Sequence, residues 1–312
     1  MEKLQETSIL KFHPNTMEAI RKEFGLDREM IEQSLSILDQ WLAMQSHLVK
    51  KDLPSELKER ILINCKGSVE KAKDKIDKMC TVKSLLPEFF VSFDAKADYE
   101  LFKGGFIDSV WPSLTPNHER VIFIRNIGFQ SNDMLIYYRR LTKILDYILR
   151  YDYSLGVHIV MDCTDANIVE YAGKINLVEA QQGMSIFVSI EAYSHRLKSM
   201  RFITPNKMVD MLITIVKQVI RAKLAQRIYV HQKFEELFEV FPKEMVPKDY
   251  GGPEKSLVEL NDDLTEVLTS ENFVSYLKEM SKAVTDENLR RKDSYNESVM
   301  GMPGSFRQFA LD

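Results

Sequence analysis

Glycine is scarce in this 312-residue chain: 12 residues, ~4%, where soluble domains average roughly 7%. There is no G-x-G-x-x-G and no G-x-x-x-x-G-K-[ST], so the loops that cradle nucleotide phosphates have no local basis. A G-x-S-x-G nucleophile elbow is also missing. Cysteine is rare: Cys65, Cys80 and Cys163 are odd in number and far apart. They exclude a disulfide framework, and with no C-x-x-C and no H-x-x-x-H pair they give a metal site nothing to build on. Neither sign of charge dominates, since 42 Lys and Arg face 46 Asp and Glu for a net charge of −4. That balance speaks against a nucleic-acid partner, whose domain would be basic. No uncharged apolar run reaches the ~18 residues of a membrane span; the densest segment, residues 202–220, is broken by Lys207, Asp210 and Lys217. The opening MEKLQETSIL lacks the apolar stretch of a signal peptide. Together with the cysteine usage, this gives the expectation of a cytoplasmic protein.

What the chain does have is bulk apolar material. Hydrophobic residues make up 45%, with 17 Phe and 15 Met, enough for a sizeable core in one large or two modest domains. Residues 1–95 read as helical, with a 3.6-residue period through Met30, Ile31, Leu35, Leu38, Trp41, Leu42 and Met44. Ser68 is placed to cap a further helix that Pro87 stops. After residue 96 the pattern alternates. Strands are expected at 120–127, 156–162, 197–203 and 228–231. Helices are expected at 133–151 and 175–193, and another opens at Thr204-Pro205 with Thr204 as N-cap. This β-α-β-α-β-α-β order predicts an α/β fold with a mostly parallel sheet. The stretch Val246-Pro-Lys-Asp-Tyr-Gly-Gly-Pro253 is the clearest turn. A helix over 257–282 follows it, and the last stretch, Gly301-Met-Pro-Gly304-Ser-Phe306-Arg307, reads as a turn and an apolar anchor.

The search for reactive groups assembles no catalytic site. His158 alternates with Val157 and Ile159 on a strand and reads as a histidine satisfied by a neighbour. Cys163 has no basic group close in sequence to activate it. Asp162 and Asp165 follow a strand end, where α/β folds place chemistry, yet they also suit loop solvation or capping of the next helix. Two other features stand out. From Pro205 onward a narrow polar stripe (Asp210, Thr214, Lys217, Arg221) runs along an otherwise apolar helix. Such a helix is either buried in the core or covers an apolar ligand cavity. Four cations lie beside it. Arg196 and Lys198 are two apart on a strand; Lys223 and Arg227 are four apart on a helix. If the two pieces meet, they suit a phosphate or an anionic lipid head; otherwise they are a solvated surface.

Several segments resemble the CRAL-TRIO family, in particular its alpha-tocopherol transfer protein-like and retinaldehyde-binding protein-like branch of invertebrate type. They are Arg60-Ile-Leu-Ile-Asn-Cys-Lys-Gly-Ser-Val-Glu-Lys-Ala-Lys with Ser84-Leu-Leu-Pro-Glu-Phe-Phe90, the strand Leu197–Pro205 with its following helix, the Asp-Tyr-Gly-Gly turn, and Gly304-Ser-Phe-Arg-Gln-Phe. The resemblance implies a helical N-terminal domain over 1–95, a lipid-binding domain over 96–253, and a C-terminal helical extension over 254–312 that packs back on the core. It implies no catalysis and no cofactor beyond a bound lipid: a tocopherol, retinoid, carotenoid or other isoprenoid. The helix at 205–220 becomes a mobile gate. Met208, Val209, Leu212 and Ile215 would face the cavity, Val157, Ile159 and Met161 would form its floor, and Phe187, Val188 and Ile190 would line one side. Met211 falls in the same gate. Burial of apolar ligand surface at ~25 cal/mol/Å² would supply affinity without a reactive group. Arg196, Lys198, Lys223 and Arg227 fall on positions that bind phosphoinositide heads in the family. The implied partners are a small hydrophobic lipid and, transiently, an anionic membrane surface, with the protein a monomer. Two departures stand out: Cys65 occupies the place of a family arginine, and Ser194 that of a proline before the third strand. A membrane-recruited adaptor with a structural lipid is the alternative reading.

Overall fold

The protein is described by a computed structural model, which describes residues 4–90, 94–102, 105–128, 134–166, 195–207, 213–214, 217 and 222–290. Two helices of the N-terminal block begin where a side chain accepts an orphan amide group of the first turn. In α2 (Arg28–Met44), Asp27 accepts from the Met30 amide at 2.8 Å. In α4 (Val69–Leu85), Ser68 accepts from Lys71, and Pro87 lies just beyond the end. With α1 (Thr16–Glu23) and α3 (Ser55–Asn64) these form the expected helical block. Leu38, Leu42, Leu57, Ile61, Ala72 and Ile76 close one core within it.

A short helix, α5 (Ala95–Phe102), leads into the sheet. The five described strands are β1 (Phe106–Val110), β2 (Arg120–Asn126), β3 (Val157–Asp162), β4 (Leu197–Ile203) and β5 (Ile228–His231). They lie in sequential order; β1 pairs antiparallel with β2 and the others are parallel. The parallel β2–β5 set is the one read from the sequence. Strand β1 is an addition: Asp108 and Ser109 interrupt its apolar character, so no alternation marks it. α6 (Met134–Tyr151) crosses from β2 to β3. β3 and β4 lie beside each other in the sheet, but residues 167–194, which hold the expected 175–193 helix, are outside the described set.

Side chains alternate across the sheet and define two apolar faces. Ile122, Ile124, Val157, Ile159, Met200 and Ile228 join Leu141, Ile144, Leu145 and Ile148 of α6. Val121, Phe123, Val160 and Ile203 join Trp111, Phe241 and Val246 on the other side. The expected single helix over 257–282 is two: α8 (Leu257–Thr269) and α9 (Glu271–Met280), with α7 (Ala222–Ala225) preceding β5. Ser270 divides them, its hydroxyl accepting from the Phe273 amide. α8 starts with a full capping box, Ser256 and Glu259 bonding reciprocally. It runs along β1, placing Leu257 and Leu260 in one face's core and Leu264 and Leu268 in the other's. The edge strand is thereby covered, and Asn261 Nδ2 donates to the Asp108 carbonyl at 2.8 Å.

Candidate functional site

The apolar face of β3 is where the sequence places a cavity floor. Val157 and Ile159 are buried, Met161 is half-buried, and all three point to the face shared with Met200, Phe202, Ile228 and Val230. The last four lie on that same face but were missed in the sequence, because a bulge interrupts the alternation of β4 and β5 has only four residues. From the segment after β4, Ile213 is described and packs, buried, into the same cluster. Among the other expected lining residues, Phe187, Val188, Ile190, Met208, Val209, Met211, Leu212 and Ile215 lie outside the described residues, as does Ser194. Thr204 acts differently from expectation. Its hydroxyl accepts from the Asn206 amide at 3.1 Å, and the first helical residue is Lys207. The threonine therefore closes a turn ahead of the helix rather than capping it.

The four expected cations have different surroundings. A register shift between Val157 and His158 leaves Lys198 as the extra residue of β4, so strict alternation from Arg196 to Lys198 fails. The Lys198 ammonium bonds Glu119 at 2.5 Å. Arg196 lies over the Phe24 ring, 5.5 Å from its centroid, and its Nη1 is buried without a hydrogen-bond partner among the described residues. Burial and the nearby Arg227 charge lower the Arg196 pKa. Arg227 donates through Nη1 to the Leu197 carbonyl. Lys223 is exposed on α7. Thus Arg196 and Arg227 form a local positive corner, Lys198 is neutralised, and Lys223 stands at the surface. Cys65 is buried at the end of α3, where burial pushes its thiol up to about 11.

His158 is satisfied on both sides, Nδ1 by Ser199 Oγ and Nε2 by Glu119 Oε2, each at 2.7 Å. Burial would raise the Glu119 carboxyl, but hydrogen bonds from His158 and Lys198 and their charge hold it at about 2. The network extends through Ser199 to Arg201, His231 and Glu236. His158 reaches Ser199 across 41 positions and Glu119 across 39, so no local motif announced it.

The reactive candidates after β3 are structural. Asp162 accepts from the Thr164 amide at 2.9 Å and from the Tyr250 hydroxyl at 2.5 Å. Asp165 pairs with Arg125 at 2.8 Å. Burial, reinforced by the Asp162 charge, pushes the Cys163 thiol up to about 12, leaving it protonated at neutral pH. Tyr250 belongs to the Asp-Tyr-Gly-Gly turn and stacks on Phe234 at 4.1 Å. Gly251 takes a left-handed conformation, φ 80°, and a Cβ on Gly252 would sit 1.9 Å from the Val246 carbonyl oxygen. The turn thus requires both glycines. Among the described residues no group of His, Cys, Asp and Glu is arranged to hold a metal, and no helix is long and apolar enough to cross a membrane.

The stretch from β1 to this turn, residues 109–252, matches the family model of the CRAL/TRIO domain. That match supports binding or transfer of small hydrophobic lipids in general. No curated protein sequence matches the chain. Among solved structures, the crystal structure of Sfh5 is similar with a TM-score of 0.48 and 10% identity, covering 86% of this chain and 97% of that one.

Proposed function

We propose that the protein carries one small hydrophobic lipid of tocopherol, retinoid, carotenoid or isoprenoid type and exchanges it at membranes. The observation that carries this reading is the apolar sheet face of Val157, Ile159, Met161, Met200 and Phe202, with Ile213 of the following segment packed into the same cluster. Neighbouring polar side chains (Asp162, His158, Glu119) are consumed by one another and by Tyr250, Thr164 and Lys198. What is left for ligand recognition is apolar area, the quantity that sets affinity for a lipid. In this reading residues 205–220 are the gate, with 1–95, 96–253 and 254–312 as helical, lipid-binding and extension domains of a cytoplasmic monomer. The Arg196–Arg227 corner meets anionic lipid heads, since Arg196 holds a buried donor that an anion would satisfy. Lys223 adds long-range attraction.

Organic extraction of the purified full chain, followed by mass spectrometry, tests the reading. One lipid per chain, together with transfer between liposomes, is expected. A lipid-free protein that transfers nothing overturns it. Reversing Arg196 and Arg227 to Glu should lower binding to phosphoinositide vesicles while the extracted lipid remains. Lost vesicle binding with no transfer even in the wild type would favour a membrane-recruited adaptor instead.

A further inference from the structure

A cavity lies away from the sheet face, between α4, α6, α9 and the turn Pro87–Phe89. Its volume is about 350 Å³, at the lower end of small-molecule sites. Phe89, Phe90, Leu277 and Val284 form apolar walls, and Lys83, Asp146 and Lys143, the last already paired with Asp98, also line it. The Lys83 and Asp146 side chains are about nineteen-twentieths buried, at 5% and 6% exposure. Their charges are 3.7 Å apart, too far for a hydrogen bond. The Lys83 ammonium otherwise lies 5.7 Å from the centre of the Phe90 ring. Among the described residues no hydrogen-bond acceptor reaches the Lys83 ammonium, and an acceptor delivered into the cavity would supply one.

The pair itself selects the chemistry. A second anion would satisfy Lys83 but meet the Asp146 carboxylate. A hydroxyl accepts from Lys83 and donates to Asp146, which as a carboxylate has several acceptor sites. We infer that this cavity is a second ligand site, taking a compact apolar alcohol or phenol whose hydroxyl bridges Lys83 and Asp146. It is separate from the sheet face, so it stands or falls independently of lipid carriage.

1-Naphthol, naphthalene and 1-naphthoate distinguish the elements of this inference when titrated into the full chain, with amide chemical shifts of α9 as readout. Expected are one saturable naphthol site, affinity for naphthol about tenfold above naphthalene, and no such gain for naphthoate. Lys83→Met should erase the tenfold difference while naphthalene still binds, which also shows that the cavity survives the change. Val284→Trp, filling the cavity from its half-buried wall, should remove both ligands without removing the extracted lipid. Equal affinity for naphthol and naphthalene would mean that only a water bridges the pair, and overturns the inference. So does naphthol binding that survives Val284→Trp, or absence of saturable binding. If Lys83→Met does not fold, the wild-type comparison and Val284→Trp decide.

Discussion

His195 sits at the entry to β4, one residue before Arg196, and is buried at 6% exposure. Its Nε2 donates to the Leu145 carbonyl at 2.9 Å, which ties β4 to α6. Desolvation lowers its pKa from 6.5 to about 4, against smaller raising effects of the Leu145 bond and the Asp152 charge. The folded protein therefore keeps this ring neutral down to about pH 4, while the unfolded chain protonates it near 6.5. Between those values the unfolded state binds more protons, so stability is intact above pH 6.5 and declines as pH falls through the window. The full shift amounts to on the order of 3 kcal/mol. Denaturant melts from pH 7 to 4 should show a shallower decline in His195→Gln than in wild type. Identical slopes would mean that His195 is not held neutral. No sequence pattern revealed this histidine, because its partner lies 50 positions away on α6. His158, by contrast, was read correctly as a satisfied strand histidine, since its alternation with Val157 and Ile159 was visible; only the identity of Glu119 and Ser199 needed the structure.

At the scale of elements, legibility followed length and periodicity. α2, α3 and α4 were readable because three or more turns carry apolar residues at helical spacing and Asp, Ser or Pro marks an end. β2, β3 and β4 were readable as apolar runs bounded by turn residues. β1 has five residues with Asp108 and Ser109 inside it; both are buried polar side chains whose partners come from α6 and β2. Asp108 accepts from Arg140 and Tyr137, and the Ser109 hydroxyl donates to the Phe123 carbonyl. A strand that depends on such partners looks like a loop in one dimension. The bulge at Lys198 was likewise hidden, since alternation predicts faces only while register holds. It adjoins Gly156, which adopts φ 141°. A Cβ there would lie 2.3 Å from the Arg196 carbonyl oxygen, the same oxygen that accepts from the Val157 amide at 2.9 Å. Gly156→Ala must therefore push the start of β4 away from β3. We expect a loss of about 2–4 kcal/mol in a denaturant melt, from backbone strain and the damaged pairing. Loss of vesicle binding should accompany it, because Arg196 moves with its own backbone. A variant as stable as wild type would contradict the close approach.

Over the whole molecule, the C-terminal extension binds the helical block to the lipid-binding fold. α9 and the segment after it place Met280 and Ala283 in the core of α2–α4, to which α6 contributes Leu149. The Val49 amide donates to the Val284 carbonyl, and the Thr285 amide donates to Ser84 Oγ. Arg290 completes the connection. Its two terminal nitrogens donate to both oxygens of Asp77 at 2.6 and 2.8 Å, and the pair is 7% exposed on each side. Asp77 also meets His47 at 3.1 Å. Burial opposes its charge, but Arg290 and His47 outweigh burial and lower its pKa. The resemblance implies a C-terminal extension that packs back on the core, without saying which units it touches. The contacts of residues 254–290 reach both the helical block and the sheet, a long-range arrangement that sequence order cannot express. Arg290→Met leaves a buried carboxylate with only His47 and the Thr81 hydroxyl beside it, which costs about 3–5 kcal/mol where a buried pair is broken from one side. Because these residues touch both units, that loss should appear in a single transition seen equally by circular dichroism and by the fluorescence of Trp41 in the helical block and Trp111 beside the sheet. If the mutation instead separates an early transition of the helical block from an unchanged one of the sheet, the two units are not held in one cooperative fold by Arg290.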